Sequence, residues 1–139
     1  RDFLANLRRH FYIPENAPLV VGSCLPNERH EIPMQILLVQ CMLRGYRTLM
    51  LGPAPAPTAI ESTVSLASPA IVLLTASTHA VWEDNGEALR ALDAFAKTMP
   101  HIKFFIGGAG VKHIVQQFEI EAIQEAHSLH EVFLKIEKV

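Results

Sequence analysis

At 139 residues, half of them apolar, the chain is long enough for one domain with a real core and too short for two ordinary ones. A net charge of −2, with no basic cluster longer than Leu7-Arg8-Arg9-His10, argues against nucleic-acid binding by the segment itself. Apolar runs stop well short of the roughly 20 residues that a membrane-spanning helix needs. Cys24 and Cys41 have neither zinc-site nor redox spacing and no secretory leader pattern precedes the fold, so a reducing cytoplasm is the expected setting.

The chain opens on Arg1 rather than Met and reads as a piece of something longer. Phe3, Leu4, Leu7 and Phe11 recur at helical spacing, and Pro14 and Pro18 end that segment. Residues 1–17 are therefore expected to be a lead-in helix and linker from a preceding domain, with residues 18–139 as the domain proper. Leu19, Val20 and Val21 form an apolar run of the kind found in strands covered on both faces, and Gly22 is expected to let the backbone leave the sheet. The loop Pro26-Asn27-Glu28-Arg29-His30 follows, and Pro33 suits a first helical turn, where its missing N–H is not needed. Residues 34–44 are apolar around most of a helical circumference, which predicts a helix covered on two sides and stopped by Gly45.

A second strand is expected over residues 46–51, then a stiff turn at Pro53, Pro55 and Pro57. Thr58 is expected to cap a helix that Ser68-Pro69 breaks. Residues 70–75 read as the third strand, and the polar stretch Thr75-Ala76-Ser77-Thr78-His79 leaves it. The next helix is expected from Trp82 to about Thr98, with Pro100 ending it. A fourth strand over residues 102–106 closes on Gly107-Gly108-Ala109-Gly110. A short helix over residues 111–118, a weak fifth strand over 120–123 and a last helix capped by Ser128 complete the chain. Strands alternating with helices over such connections predict an α/β fold with a parallel sheet and right-handed crossovers.

In an open sheet of this kind ligands bind beyond the carboxyl ends of the strands, where three of these loops converge. The first offers His30 with a carboxylate, Glu28, two residues before it. A neutral imidazole is a good ligand for a borderline metal, and a carboxylate on its other N–H fixes the tautomer and raises its basicity. The second loop offers hydroxyls, Thr75 and Ser77. The third offers Gly107 and Gly108, which remove two side chains and let a flat or elongated group lie against the backbone. One imidazole does not hold a free divalent ion, which ordinarily takes three or four protein ligands. It can take one axial position on a metal whose other positions a macrocycle fills.

Glu28-x-His30-x-x-Pro33, Thr75-x-Ser77 and Gly107-Gly108, in this order and at these strand ends, resemble the acid-x-His-x-x-Gly, Ser-x-Leu and Gly-Gly pattern of the cobalamin-binding domain family. The resemblance covers roughly residues 18–139, and Glu28 in the acidic position is most like the C-terminal sensor domains of B12-dependent MerR-type transcriptional regulators. It implies a flavodoxin-like or Rossmann-like doubly wound five-stranded parallel sheet, order 2-1-3-4-5, in three αβα layers. It further implies His30 as the lower ligand to cobalt in place of the cofactor's own base, steadied by Glu28. The displaced tail would thread a slot past Thr75 and Ser77 and over Gly107 and Gly108. Pro33 stands where the family has glycine, where its ring would narrow the tail's entrance, and Ser77 stands where the family has leucine.

The implied protein is a non-enzymatic sensor of adenosylcobalamin or methylcobalamin that reaches DNA only through an upstream domain outside this chain. It has no membrane partner, and a homo-oligomer is compatible with it. The alternatives are a corrinoid-carrying subunit of a methyltransferase or mutase and a degenerate sensor that has lost the cofactor. His79 is expected to be a surface loop residue near the same crevice, Cys24 packed rather than reactive, and His127 and His130 exposed. The face carrying Met34, Leu38 and Met42 is expected to be core.

Rival doubly wound families fit worse. Cys24 and Thr75 stand where a phosphorylated receiver needs acids, and residues 26–30 do not make a flavodoxin phosphate loop. The glycine-rich turn follows the fourth strand rather than the first, unlike a dinucleotide-binding domain. A hydrolase assembled from Ser77, His79 and Asp84 would lack a nucleophile elbow.

Overall fold

Five short strands pair side by side, all parallel, in the order β2-β1-β3-β4-β5, and the three central ones are the most apolar. They are β1 (Leu19–Cys24), β2 (Arg47–Met50), β3 (Ile71–Thr75), β4 (Lys103–Gly107) and β5 (Ile123–Glu125). Five helices follow them in turn: α1 (Ile32–Leu43), α2 (Ala59–Ala67), α3 (Glu87–Lys97), α4 (Ile114–Gln117) and α5 (Leu129–Glu137). The computed structural model describes residues 6, 10, 12–26, 28–52, 55–56, 58–76, 84–109, 111 and 114–137. The expected lead-in helix, most of the proline turn, Ser77, His79, Trp82 and Gly110 lie outside the described residues.

The alternation of side chains along the strands builds two cores. Val72, Leu74, Phe104 and Ile106 point to one face and pack with Ile60, Val64, Leu89 and Leu92 of α2 and α3. Ile71, Leu73 and Phe105 point to the other and pack with Met34, Leu38, Met42, Val132 and Phe133 of α1 and α5. The result is the doubly wound three-layer αβα fold expected from the sequence. The strand order reverses between β1 and β3, because β1 passes to β2 on one side and β3 passes to β4 on the other.

Local signals hold where a backbone group has an evident partner. Gly45, at φ +91°, closes α1: its N–H donates to the Met42 carbonyl and the Tyr46 N–H to that of Cys41. Ser128 Oγ accepts from the Glu131 N–H at 3.1 Å, while the Glu131 carboxylate accepts from the His127 N–H at 3.0 Å, so α5 is capped as expected.

Five expectations need correction. Gly22 does not release the chain from the sheet: it lies inside β1, paired with Met50 and Leu73, where a Cβ would run into Met34 and Leu38 of α1. Thr58 does not cap α2 through its side chain; it sits at φ +68°, so the hydroxyl cannot take up the capping position. Helix α3 starts at Glu87, because the Asp84 carboxylate accepts from the N–H groups of Gly86 and Ala88 and forms a turn ahead of it. The last strand starts at Ile123 rather than residue 120. The Asp93 carboxylate, on an almost fully buried side chain, takes the N–H groups of Glu121, Ala122 and Ile123, so Glu121 and Ala122 are held in a turn and pairing begins at Ile123. Helix α1 is covered on one side only: Met34, Leu38, Cys41 and Met42 are buried, whereas Ile32, Ile36 and Leu43 are 66, 55 and 62 % exposed. The helix lies flat on the sheet and nothing among the described residues packs on its outer face.

Candidate functional site

The last residues of β1, β3 and β4 stand in register, Cys24 beside Thr75 and Thr75 beside Gly107. With period-two alternation all three belong to the face shared with α1 and α5. Beyond this row the chain leaves β1 into the loop that carries Glu28 and His30. The Glu28 N–H donates to the Leu25 carbonyl at 2.9 Å and turns the loop back over the sheet end.

Glu28 is 2 % exposed, yet the imidazole it holds is open, with 78 % of the His30 side chain accessible. A single carboxylate oxygen of Glu28 accepts from the His30 backbone N–H at 3.0 Å and pairs with Nδ1 of the same residue at 2.7 Å. A carboxylate only accepts, so Nδ1 carries the proton and the lone pair is left on Nε2, at the solvent side of the ring. From below, the Cys24 thiol donates to the His30 carbonyl at 3.4 Å. Burial pushes the Cys24 thiol above its ordinary pKa, with Glu28 and Glu31 adding to the rise and the Thr75 hydroxyl beside it opposing it. Burial likewise pushes Cys41 up to about 12. Both thiols are therefore packed and inert, as expected for Cys24.

Two cavities meet at this point. A basin of about 600 Å³ lies over the strand ends, lined by Glu28, His30, Glu31, Pro33, Ala76 and Gly108 among others. A slot of about 320 Å³ runs beside β3 and β4, between Pro33, Ile36 and Leu37 of α1 and Leu129 and Val132 of α5. Pro33, Thr75 and Gly108 line both. Pro33 sits in the first turn of α1 and does not seal the slot.

The slot exists because its floor lacks side chains. A Cβ on Gly107 would stand 3.0 Å from the Ala126 carbonyl oxygen, and one on Gly108 would run into the Ala76 carbonyl at a φ of +124°. At the junction the Thr75 hydroxyl is buried beside the Cys24 thiol, with no nitrogen or oxygen partner among the described residues.

Glu28, His30, Pro33, Thr75, Gly107 and Gly108 are thus brought together as the sequence predicts, and Ser77 lies outside the described residues. Sequence reading missed Glu31, whose second carboxylate oxygen is buried at the edge of the basin with no partner among the described residues. It also missed the α5 wall of the slot, although the carboxyl end of β5 is a strand end like the other three. His127 borders the slot there, mostly exposed, with Nε2 3.6 Å from Glu125. Among the described residues no group of three or more His, Cys, Asp or Glu side chains is arranged to hold a free metal ion.

These features suit a corrinoid on chemical grounds: one open imidazole for one axial position, a wide basin beside it, and a deep side-chain-free slot joined to the basin. The fold is the flavodoxin-like one of a five-stranded parallel sheet between two helical layers. No protein-family model matches the chain, and no curated protein matches it. Solved structures do. A cobalamin-binding protein from Desulfitobacterium hafniense DCB-2 is similar with a TM-score of 0.67 and 17 % identity, over 88 % of this chain and 59 % of that one. The methanol:cobalamin methyltransferase complex MtaBC from Methanosarcina barkeri gives 0.70 and 18 %, over 99 % and 53 %. The monomethylamine corrinoid protein of the same organism gives 0.62 and 18 %, over 88 % and 59 %. At such identities the likeness establishes the fold, that of cobalamin-binding domains. The chain spans between 53 and 59 % of the length of these three proteins.

Proposed function

We propose that this chain is a cobalamin-binding domain in which His30 supplies the lower cobalt ligand through Nε2. The observation that carries the reading is the pairing of an almost fully buried Glu28 with a largely exposed His30 across 2.7 Å. That arrangement keeps Nδ1 on the carboxylate and turns Nε2 outward, the orientation a metal-ligating imidazole needs. When bound, the group would supply a cobalt centre whose upper face is open to chemistry or to light.

The chain's own residues have the tasks of seating and orienting it. His30, steadied by Glu28, would hold the cobalt, and the basin would seat the macrocycle. The glycine pair and Thr75 leave room and one hydroxyl for the displaced tail; Ser77 is assigned to the same stretch by the sequence pattern. Pro33, at the shared rim, takes the place of a residue without a side chain and defines one edge of the entrance.

Two uses of such a domain remain in view. The acidic residue at position 28 supports the sensor domain of a B12-dependent transcriptional regulator, in which the ligand state is passed to a DNA-binding domain elsewhere in the polypeptide. The names of two of the similar structures support a corrinoid carrier that presents its cofactor to a methyltransferase. A helix pair for DNA upstream in the whole gene would favour the first, and a catalytic barrel partner the second.

The test of the shared claim is a visible spectrum after incubation with hydroxocobalamin. Wild type is expected to retain the corrinoid with a spectrum changed from that of the free form. His30→Ala, at an exposed side chain, is expected to fold normally and to lose the change. Identical spectra would remove His30 from the proposal, and a colourless wild type would favour a degenerate sensor.

A further inference from the structure

A single axial nitrogen fixes the height of a macrocycle and leaves it free to turn about the bond. The bound ring therefore needs a contact away from the axis, and the residue next to His30 offers one. Glu31 is half-buried and lines the same basin. Its Oε1 accepts from Gln35 Nε2 at 3.4 Å, while Oε2 is buried with no partner among the described residues. The other charged side chains of the basin are differently placed: Glu28 is committed to His30, and Arg29 only donates. A carboxylate oxygen left buried and unpaired is costly, and a donor brought into the basin would relieve that cost. The terminal torsion of a glutamate is broad, so a partial turn is enough to offer Oε2 to such a donor.

We infer that Glu31 accepts a hydrogen bond from one primary amide on the rim of the corrin and so sets the ring's rotation about the His30–cobalt axis. This rests on the reading of the site as cobalamin-binding. The propionamides of a corrin project from the face that carries the lower ligand, so with His30 in that position they are the amides turned toward the basin. Each has two N–H donors, and a carboxylate has only acceptors, so the two are matched. Hydrolysis of the amide to an acid reverses the match: at neutral pH it sets one carboxylate against another, with no proton between them. A charge-assisted bond of this kind, lost and replaced by repulsion, is expected to cost about tenfold or more in dissociation constant.

The experiment measures binding by equilibrium dialysis with visible spectra at neutral pH. Its probes are hydroxocobalamin, the b-, d- and e-monocarboxylates in which one propionamide has become an acid, and cobinamide, which keeps the ring amides and has no tail. Wild type is expected to bind one of the monocarboxylates about tenfold or more weakly than hydroxocobalamin. The nearly isosteric Glu31→Gln, whose amide can donate to the acid, is expected to remove most of that difference while keeping the His30-dependent spectral change. Glu31→Ala is expected to weaken hydroxocobalamin and cobinamide by the same factor, since the contact is to the ring. A merely structural role for Glu31 would weaken every probe alike and leave the ratio between amide and acid forms unchanged. That result, or equal wild-type affinities for hydroxocobalamin and all the monocarboxylates, would overturn the inference while leaving the corrinoid reading intact. A loss in Glu31→Ala confined to hydroxocobalamin would overturn it too, by placing the contact on the tail. Failure of wild type to bind any probe would overturn the reading of the site and the inference with it.

Discussion

Glu28 and Asp93 are both carboxylates on nearly fully buried side chains, 2 and 4 % exposed, and both accept backbone N–H groups. They differ in what else they hold. Asp93 gives its oxygens to the N–H groups of three successive residues, Glu121 to Ile123, and so ties α3 to the start of β5. Glu28 accepts the His30 backbone N–H and holds Nδ1 of the same residue, whose ring turns its other nitrogen, Nε2, away from the protein. The first arrangement is complete within the fold. The second leaves a metal-competent nitrogen pointing outward, and this outlet, rather than burial of the acid, marks the loop as a site.

The comparison is broken most forcefully at Asp93. Asp93→Ala strands three N–H groups beside a void, and stability in urea is expected to fall on the order of 3 kcal/mol. A loss below about 0.5 kcal/mol would mean that water replaces the carboxylate and that the turn does not depend on it.

Next in size is the floor of the slot. Gly108→Ala places a Cβ against the Ala76 carbonyl at a φ that side chains rarely adopt, so a loss of about 2 kcal/mol in stability is expected. The slot should be disturbed as well, which a weaker retention of hydroxocobalamin than of cobinamide would reveal.

The smallest effect concerns a third carboxylate, Glu131, which accepts from a backbone N–H as the other two do but in the open. The His127 N–H and Lys135 hold its pKa below the ordinary 4.5. A depressed pKa gives stability that is present above the ordinary value and lost as pH falls through the folded one. Thermal melts of wild type are therefore expected to lose a small increment below about pH 4.5 that Glu131→Gln lacks from the start. Equal acid slopes would remove the charge from the cap.

How much of this was legible in the sequence follows the distance between partners. Glu28 and His30 are two residues apart, and the glycine pair and Thr75 lie at strand ends, so alternation of strands and helices was enough to bring them to one edge. The Schellman turn at Gly45 and the Ser128 cap are local and were read correctly. Asp93 acts on residues 28 to 30 positions away, and its one sequence signal is an acid on the inward face of α3 with Leu89, Leu92 and Ala96. The start of α3 had a signal too, the carboxylate of Asp84 two residues before Gly86. Helix α1 shows a different limit. An apolar circumference reports what could be covered, and Ile32, Ile36 and Leu43 remain open because covering depends on what else the chain provides. The slot wall of Leu37, Leu129 and Val132 was invisible for the same reason, since two helices far apart in sequence form it.

The most direct measurement is an electron paramagnetic resonance spectrum of the cobalt(II) state formed with cobinamide, which has no base of its own, using protein labelled with 15N at histidine. Cobalt(II) bound by one histidine nitrogen must show triplet splitting with unlabelled protein and doublet splitting with labelled protein. Both patterns are expected here, and both should vanish in His30→Ala. Splitting that ignores the label, or that survives the substitution, would contradict the claim that His30 is the lower ligand.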